Sequence, residues 1–318
     1  MRPPLSIHAN GKILLTGEYL VMEGAVALAV PLKVGQEFTL AKGEKEGVLA
    51  WEAYDTDGQW FRGVFSLPGL TVLESTDDAI ARKLERLLLA ARSLNRSFLS
   101  DGSGLKAVTR LSFNRNWGFG SSSTLISIVA RWAGIQPVEL HRLVSKGSGY
   151  DVACSVAESP VFFKIQDNRH EMTSVDFDPP FAENMFLVYL GNKQYSDTEV
   201  ENFSQQSGGD LSRQIQRISE ISHQLSKENK LESFMNLLSE HENIIAGILG
   251  RESVKDMLFS DFKGVVKSLG AWGGDFVLAV STLGEAYIRD YFISKSLLTL
   301  LPYSSVALVF NKKVIKAV

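Results

Sequence analysis

Apolar residues return along this chain with two periods, and the change of period marks the change of element. Residues 12–15, 26–30, 34–40 and 48–53 are short apolar runs broken by glycine, and they predict an early sheet of hairpins. From 77 to 94 the positions Ile80, Leu84, Leu87, Leu88 and Ala91 recur at spacings of three and four, which predicts an amphipathic helix. Residues 105–113 read as another strand, 124–132 as a buried helix and 137–144 as a short helix opened by Pro137. Farther along, strands are predicted over 185–190, 276–280 and 306–310. Leu211, Ile215, Ile218, Ser222 and Leu225 mark one helical face, and Phe234, Leu237, His241, Ile244 and Ile248 a second. The polar stretch through Pro179 and Pro180 reads as a connection, and "SQQSGGD" at 204–210 as a loop. The pattern predicts an α+β fold in two domains, residues 1–170 and 171–318, without internal repeats.

Composition narrows the function classes. A chain of 318 residues exceeds what one small core organises, in keeping with two domains. The 33 basic and 36 acidic residues give a formal charge of −3 with no long run of either sign, which argues against a nucleic-acid partner. A few local cations can still hold an anionic small molecule in a cleft. No apolar run reaches the roughly 18–20 residues that span a bilayer. The amino terminus lacks the order of a secretory leader, so a soluble cytoplasmic protein with no membrane partner is expected. Cys154 is the only cysteine and reads as a small buried hydrophobe. His8, His141, His170, His223 and His241 show no metal-ligand pairing and read as surface or packing residues.

Three stretches set glycine beside an apolar run: "ANGKILLTGEYLVMEG", "NWGFGSSSTLISIVARWAG" and "SLGAWGGDFVLAV". The second makes the best mechanical case for an anion. Gly118 and Gly120 let the main chain approach a ligand, and Ser121, Ser122 and Ser123 fall where a helix start turns unpaired amides outward. One serine suffices for an ordinary cap; three after two glycines suggest more. Neither the G-x-x-x-x-G-K-[ST] loop nor the G-x-G-x-x-G fingerprint occurs here, so any nucleotide site belongs to another class.

The three stretches, in this order, resemble the motifs of the GHMP kinases. "ANGKILLTGEY" is similar to A-P-G-K-(apolar)-G-E-H with Asn10 for proline and Tyr19 for histidine. "NRNWGFGSSST" is similar to P-x-x-x-G-L-G-S-S-A-A with Phe119 for leucine, and "LGAWGGD" to G-A-G-G-G with Trp272 in a glycine slot. A fourth string, "GSGYDVACS", resembles the family's S-G-x-D-x-A segment. The resemblance implies an N-terminal S5 domain 2-like part, a C-terminal ferredoxin-like part, and phosphoryl transfer from ATP with Mg2+.

It also implies roles. Asn116, Trp117, Gly118, Phe119, Gly120, Ser121, Ser122 and Ser123 would wrap the triphosphate. Asp151 would act as base, although on sequence alone it is equally a helix cap, and Lys12 would be its electrostatic partner. Ser122 would offer a hydroxyl to magnesium, with Glu139 the nearest match to an acidic ligand; Glu139 also reads as a first-turn carboxylate favoured by the helix dipole. Glu18, Ser148, Gly149, Gly273, Gly274 and Asp275 would line the acceptor pocket. The "GEY" and "GGD" strings look most like the phosphomevalonate kinase branch, whose doubly anionic acceptor would want cations such as Arg110, Arg115 and Lys193. A mevalonate, sugar or homoserine acceptor is the alternative, as is a regulatory nucleotide binder that has lost catalysis. The expected partner is the small-molecule acceptor, and the chain a monomer or homodimer. All of this rests on Lys12, the serine turn and Asp151 meeting around one triphosphate.

Overall fold

The computed structural model describes residues 5–167, 169–191, 203, 210–270, 272 and 274–309. Among these the strands form two sheets. The larger contains β1 (Leu5–Thr16), β2 (Ala27–Lys42), β3 (Val48–Asp55), β4 (Gly58–Ser66), β5 (Val72–Ser75), β6 (Leu105–Leu111), β7 (Val161–Gln166) and β8 (Arg169–Ser174). Its order is β5-β4-β3-β6-β2-β7-β8, with β1 also paired to β2. The smaller is antiparallel, in the order β10 (Val265–Leu269), β11 (Phe276–Val280), β9 (Met185–Tyr189), β12 (Leu300–Pro302).

The chain divides into two compact units. The first holds the residues up to Gly11, Val34–Arg115 and Phe119–Val156; the second holds Lys12–Lys33, Asn116–Gly118 and the chain from Ala157 onward. The units interleave in sequence, whereas the hydrophobic pattern suggested one boundary after residue 170. The reason is that β1 and β2 each begin in one unit and end in the other, and polarity does not change inside a continuous strand.

In the first unit β3 alternates, with Leu49, Trp51 and Ala53 buried, while outward-facing Glu52 pairs with Lys106 at 2.8 Å. Helices α1 (Asp78–Leu94), α2 (Ser121–Ala133), α3 (Pro137–Val144) and α4 (Tyr150–Ser155) supply the other side of this core. Asp77 caps α1 by accepting from the Ala79 and Ile80 amides, and Ala81, Leu84, Leu87, Leu88 and Ala91 turn inward. Trp132 of α2 meets Phe98 edge-on at 4.7 Å between ring centres.

In the second unit β10 and β11 are buried at every position, so the sheet is covered on both faces. Helices α5 (Ser212–Leu225), α6 (Leu231–Leu249), α7 (Val254–Leu258), α8 (Gly284–Ser294) and α9 (Tyr303–Val306) belong to this unit. Phe186, Val266, Val277, Phe259, Phe262, Ile288 and Phe292 pack in one cluster. Arg217 of α5 grips Glu240 of α6 with two N–H groups, at 2.5 and 2.7 Å.

Two expectations change. The buried face of α6 is Phe234, Leu238, His241, Glu242, Ile245 and Ala246; Leu237, Ile244 and Ile248 are only half-buried. Apolar neighbours at 237/238 and 244/245 let the period fit two stripes a position apart. The strand expected over 306–310 is not formed at 306–309: Pro302 opens the helical turn α9, Val306 closes it, and Ala307 makes one bridge to Leu32. Lys193 and residues 204–209 of the expected loop lie outside the described residues. Among the described residues no helix is long and apolar enough to cross a membrane.

Candidate functional site

The second glycine stretch begins in the second unit and ends in the first. In the first unit Gly120 takes a left-handed backbone, φ 90°, and opens α2 without a side-chain cap. The helix therefore presents its first-turn amides at a glycine, the arrangement that favours an anion. The three serines then divide. Ser123 is 1% exposed and donates to Gly120 O at 2.8 Å, Ser121 is half-buried, and Ser122 is exposed. Phe119 is buried against Phe113, with ring centres 5.8 Å apart, and so anchors the loop in the core.

Asp151 lies in the first turn of α4, whose cap is Gly149 at φ 81°. The aspartate is therefore inside the helix and is not its N-cap. Its Oδ1 accepts from Val152 N–H at 2.9 Å, and its side chain stays 32% exposed. Ser148 and Gly149 are buried, and Ser148 Oγ lies 3.4 Å from the Tyr150 amide. Facing Asp151 is a residue that the sequence reading set aside. His141 Nε2 lies 4.0 Å from Asp151 Oδ1, with its side chain 3% exposed. No spacing rule finds this pair, because it joins two helices. Glu139 is exposed in the first turn of α3. Two helical positions differ by about 200° around the axis, so Glu139 projects away from the side on which His141 meets Asp151. Among the described residues no group of three or more His, Cys, Asp or Glu side chains is placed to hold a metal.

The second unit gathers the rest. Lys12 Nζ donates to Gly118 O at 3.2 Å, joining the first and second glycine stretches. A side chain at Gly118 would have to displace the Asp275 carboxylate: a Cβ there would stand 2.3 Å from Asp275 Oδ2. The Asp275 carboxylate of the third stretch thus lies against the backbone of the second. Its charge, after burial, also holds the Tyr189 hydroxyl above its ordinary range. Trp117 packs edge-on against Phe276 at 5.7 Å and lies 6.3 Å from Tyr189, which makes it part of the packing of this unit. Asn116 is exposed and Gly274 buried, while Gly273 lies outside the described residues.

The turn after β1 is held hard. Gly17 has φ 90°, and a Cβ on it would sit 2.7 Å from that of Ala27. Tyr19 has φ 63° and ψ −55°, a conformation that costs a non-glycine residue about 1–3 kcal/mol. Its hydroxyl accepts from Trp272 N–H at 2.8 Å. Glu18, between them, is 4% exposed and binds Lys267. Arg110 and Arg115, expected near a phosphate, lie in the first unit. Arg110 stacks on Tyr54 at 4.1 Å; Arg115 lies 5.0 Å from the Trp60 ring centre and 3.7 Å from Asp55.

No protein-family model matches the sequence, and no curated protein matches it. Solved structures do. The mevalonate kinase of L. major in complex with R-mevalonate matches with a TM-score of 0.66 at 15% identity, over 97% of this chain and 99% of that one. The phosphomevalonate kinase of Streptococcus pneumoniae, in complex with phosphomevalonate and AMPPNP, matches with a TM-score of 0.67 at 16% identity, over 93% and 99%. The fold is that of the GHMP kinases. The galactokinase of Lactococcus lactis, complexed with galactose, also shares the GHMP-kinase fold, with a TM-score of 0.67 at 13% identity over 97% and 94%. These three neighbours were solved with different small molecules, R-mevalonate, phosphomevalonate and galactose, so the shared fold does not by itself name a ligand.

Proposed function

We propose that this chain is an ATP-dependent small-molecule kinase that transfers the γ-phosphoryl group to an anionic acceptor of the mevalonate route, phosphomevalonate first among them. The observation that carries the reading is the bond from Lys12 Nζ to Gly118 O, which brings together two motif residues 106 positions apart. A second feature suits a polyphosphate: Gly120 opens α2 with no side-chain cap, so its amides are available to phosphate oxygens.

In this reading the amides of Gly120, Ser121 and Ser122 bind and orient the phosphates, and Gly118 lets the backbone come close. Lys12 balances the negative charge that grows on the transferring group. Asp151 accepts or orients the proton of the acceptor, and His141 fixes the direction of its carboxylate. Magnesium, when bound, neutralises phosphate charge. Ser122, exposed on the first turn, is the side chain suited to hold it, and the projection of Glu139 gives that residue less support. Phosphoryl transfer is mostly positioning and charge neutralisation, which is the kind of work that each of these residues can do. A cytoplasmic location is part of the same proposal.

Mevalonate itself is the second reading. Arg110 and Arg115 are engaged by Tyr54, Asp55 and Trp60, which weakens the case that they receive a second anionic group. A coupled ADP-release assay with mevalonate, phosphomevalonate, galactose and homoserine separates these readings. Turnover with phosphomevalonate supports the first, and turnover with mevalonate alone favours the second. Nucleotide binding without turnover on any of the four favours a regulatory binder.

A further inference from the structure

Four ionisable side chains lie together in the second unit, nearly sealed from solvent: Glu18, Lys267, His241 and Glu242, between 0 and 4% exposed. Lys267 is the centre of β10, a strand with no exposed position. Its Nζ donates to Glu18 Oε1 at 2.5 Å and to Ser268 O at 2.8 Å. Gly17 N–H donates to His241 Nε2 at 2.9 Å, and Ser268 N–H donates to Glu242 Oε1 at 3.2 Å. A buried ion pair is weak evidence of stability, because desolvation offsets the attraction. Glu18 Oε2 lies 3.2 Å from His241 Nε2, which already accepts from Gly17, and among the described residues His241 Nδ1 meets no hydrogen-bond partner, so the cluster is incompletely satisfied. Stability alone would be better served by apolar side chains, so the arrangement needs another reason.

The reason lies in what the cluster joins. Glu18 sits between the two left-handed residues Gly17 and Tyr19, on the turn that leaves the strand carrying Lys12. Lys267 and Ser268 lead directly into the turn that ends at Asp275, whose carboxylate lies against Gly118. From α6, His241 holds the Gly17 amide of the first turn and Glu242 holds the Ser268 amide near the end of β10, one residue before that strand gives way to the second turn. Trp272 N–H, bound to Tyr19 Oη, makes a further tie between the same two turns. We infer that Lys267 and Glu18 are positioning residues: their buried pair, 249 residues apart in sequence, fixes the first-motif turn against the third-motif turn. The pair acts through Lys12 and Asp275, since the side chains of Glu18 and Lys267 are themselves 4 and 1% exposed. The inference rests on the kinase reading for its effect on turnover, though not for its effect on the two turns.

The full chain carrying Lys267→Met together with Glu18→Gln tests it, since the double variant removes both charges and roughly keeps both volumes. Lys267→Met alone strands a buried carboxylate and lowers the melting temperature; the double variant recovers most of that loss. A merely structural pair would then recover everything else. A positioning pair leaves the amides of Gly17, Ser268 and Trp272 exchanging about tenfold faster than in the wild type, with Leu88 in the first unit unchanged. It also leaves kcat about tenfold down, by more than KM for ATP rises. Wild-type exchange at those three amides in a folded double variant overturns the inference. If the double variant does not fold, Glu18→Gln alone is read in the same way: faster exchange at Gly17 and Trp272 supports positioning, and unchanged exchange overturns it. If the wild type phosphorylates none of the acceptors, the kinase reading fails by itself and the exchange result still decides the positioning.

Discussion

Gly118 and Asp275 touch so closely that the carboxylate occupies the space a side chain at 118 would need. The added methyl of Gly118→Ala would meet Asp275 Oδ2 at 2.3 Å, and a carboxylate end can turn aside. The substitution should therefore cost little stability, within about 1 kcal/mol, while raising KM for ATP about tenfold. In an Asp275→Ala background the same change should do much less. That non-additivity, read from nucleotide titration of the four proteins, is the signature of direct contact. Additive effects would place the two residues in separate roles.

Asp151→Asn keeps the shape of the carboxylate and removes its basicity. ATP affinity should stay within about threefold while kcat falls by about 10²–10⁴. On the proposed role of His141, whose imidazole stands 4.0 Å from the carboxylate, His141→Gln should lower kcat by an intermediate factor. Steady-state rates together with equilibrium nucleotide binding check both. Wild-type turnover in Asp151→Asn would remove it as the base.

The serines of α2 should separate by function. Ser123 Oγ is committed to Gly120 O, so Ser123→Ala should cost about 1 kcal/mol of unfolding free energy. Ser122 is exposed on the first turn, so Ser122→Ala should leave stability within about 0.5 kcal/mol and raise the magnesium needed for half-maximal rate. Thermal unfolding and a magnesium titration of the rate give the two readouts.

Stability should carry the mark of the buried cluster. Burial pushes Glu242 up to about 7, with Lys267 opposing. A raised acid binds its proton more tightly folded than unfolded, so its contribution is whole below pH 4.5 and lost as pH rises through about 7. Glu242→Gln should therefore gain on the wild type across that interval, by about 3 kcal/mol at most. His241 has the opposite sign. Burial, then the charge of Lys267, holds it well below 6.5, so the folded protein loses stability as pH falls below that value. His241→Asn should remove this acid-side loss. Urea unfolding at pH 5, 6 and 7.5 separates the two slopes.

What the sequence made legible followed from local rules. Residues 276–280 read as a strand and form β11, 137–144 form α3, and the Asp77-capped repeat of Leu84, Leu87 and Leu88 forms α1. What it hid breaks those rules. β8 turns most of its side chains to water, so its residues look like a connection. Lys267, Glu18 and Glu242 carry charges that every polarity pattern assigns to the surface, yet all are buried. His141 meets Asp151 through tertiary packing of two helices, and a histidine on an apolar helix face carries no mark of its partner.

Because the segment Lys12–Lys33 belongs to the unit built mainly from residues after Ala157, several of its partners are made long after it. Thr16 waits for Ser222, 206 residues on, and Glu18 waits for Lys267. On the ribosome this early stretch must therefore remain unfinished until Ser222 and Lys267 have emerged. Loop closures this long are slow to form, so the last event in folding should be the one that completes the turn beside Lys12.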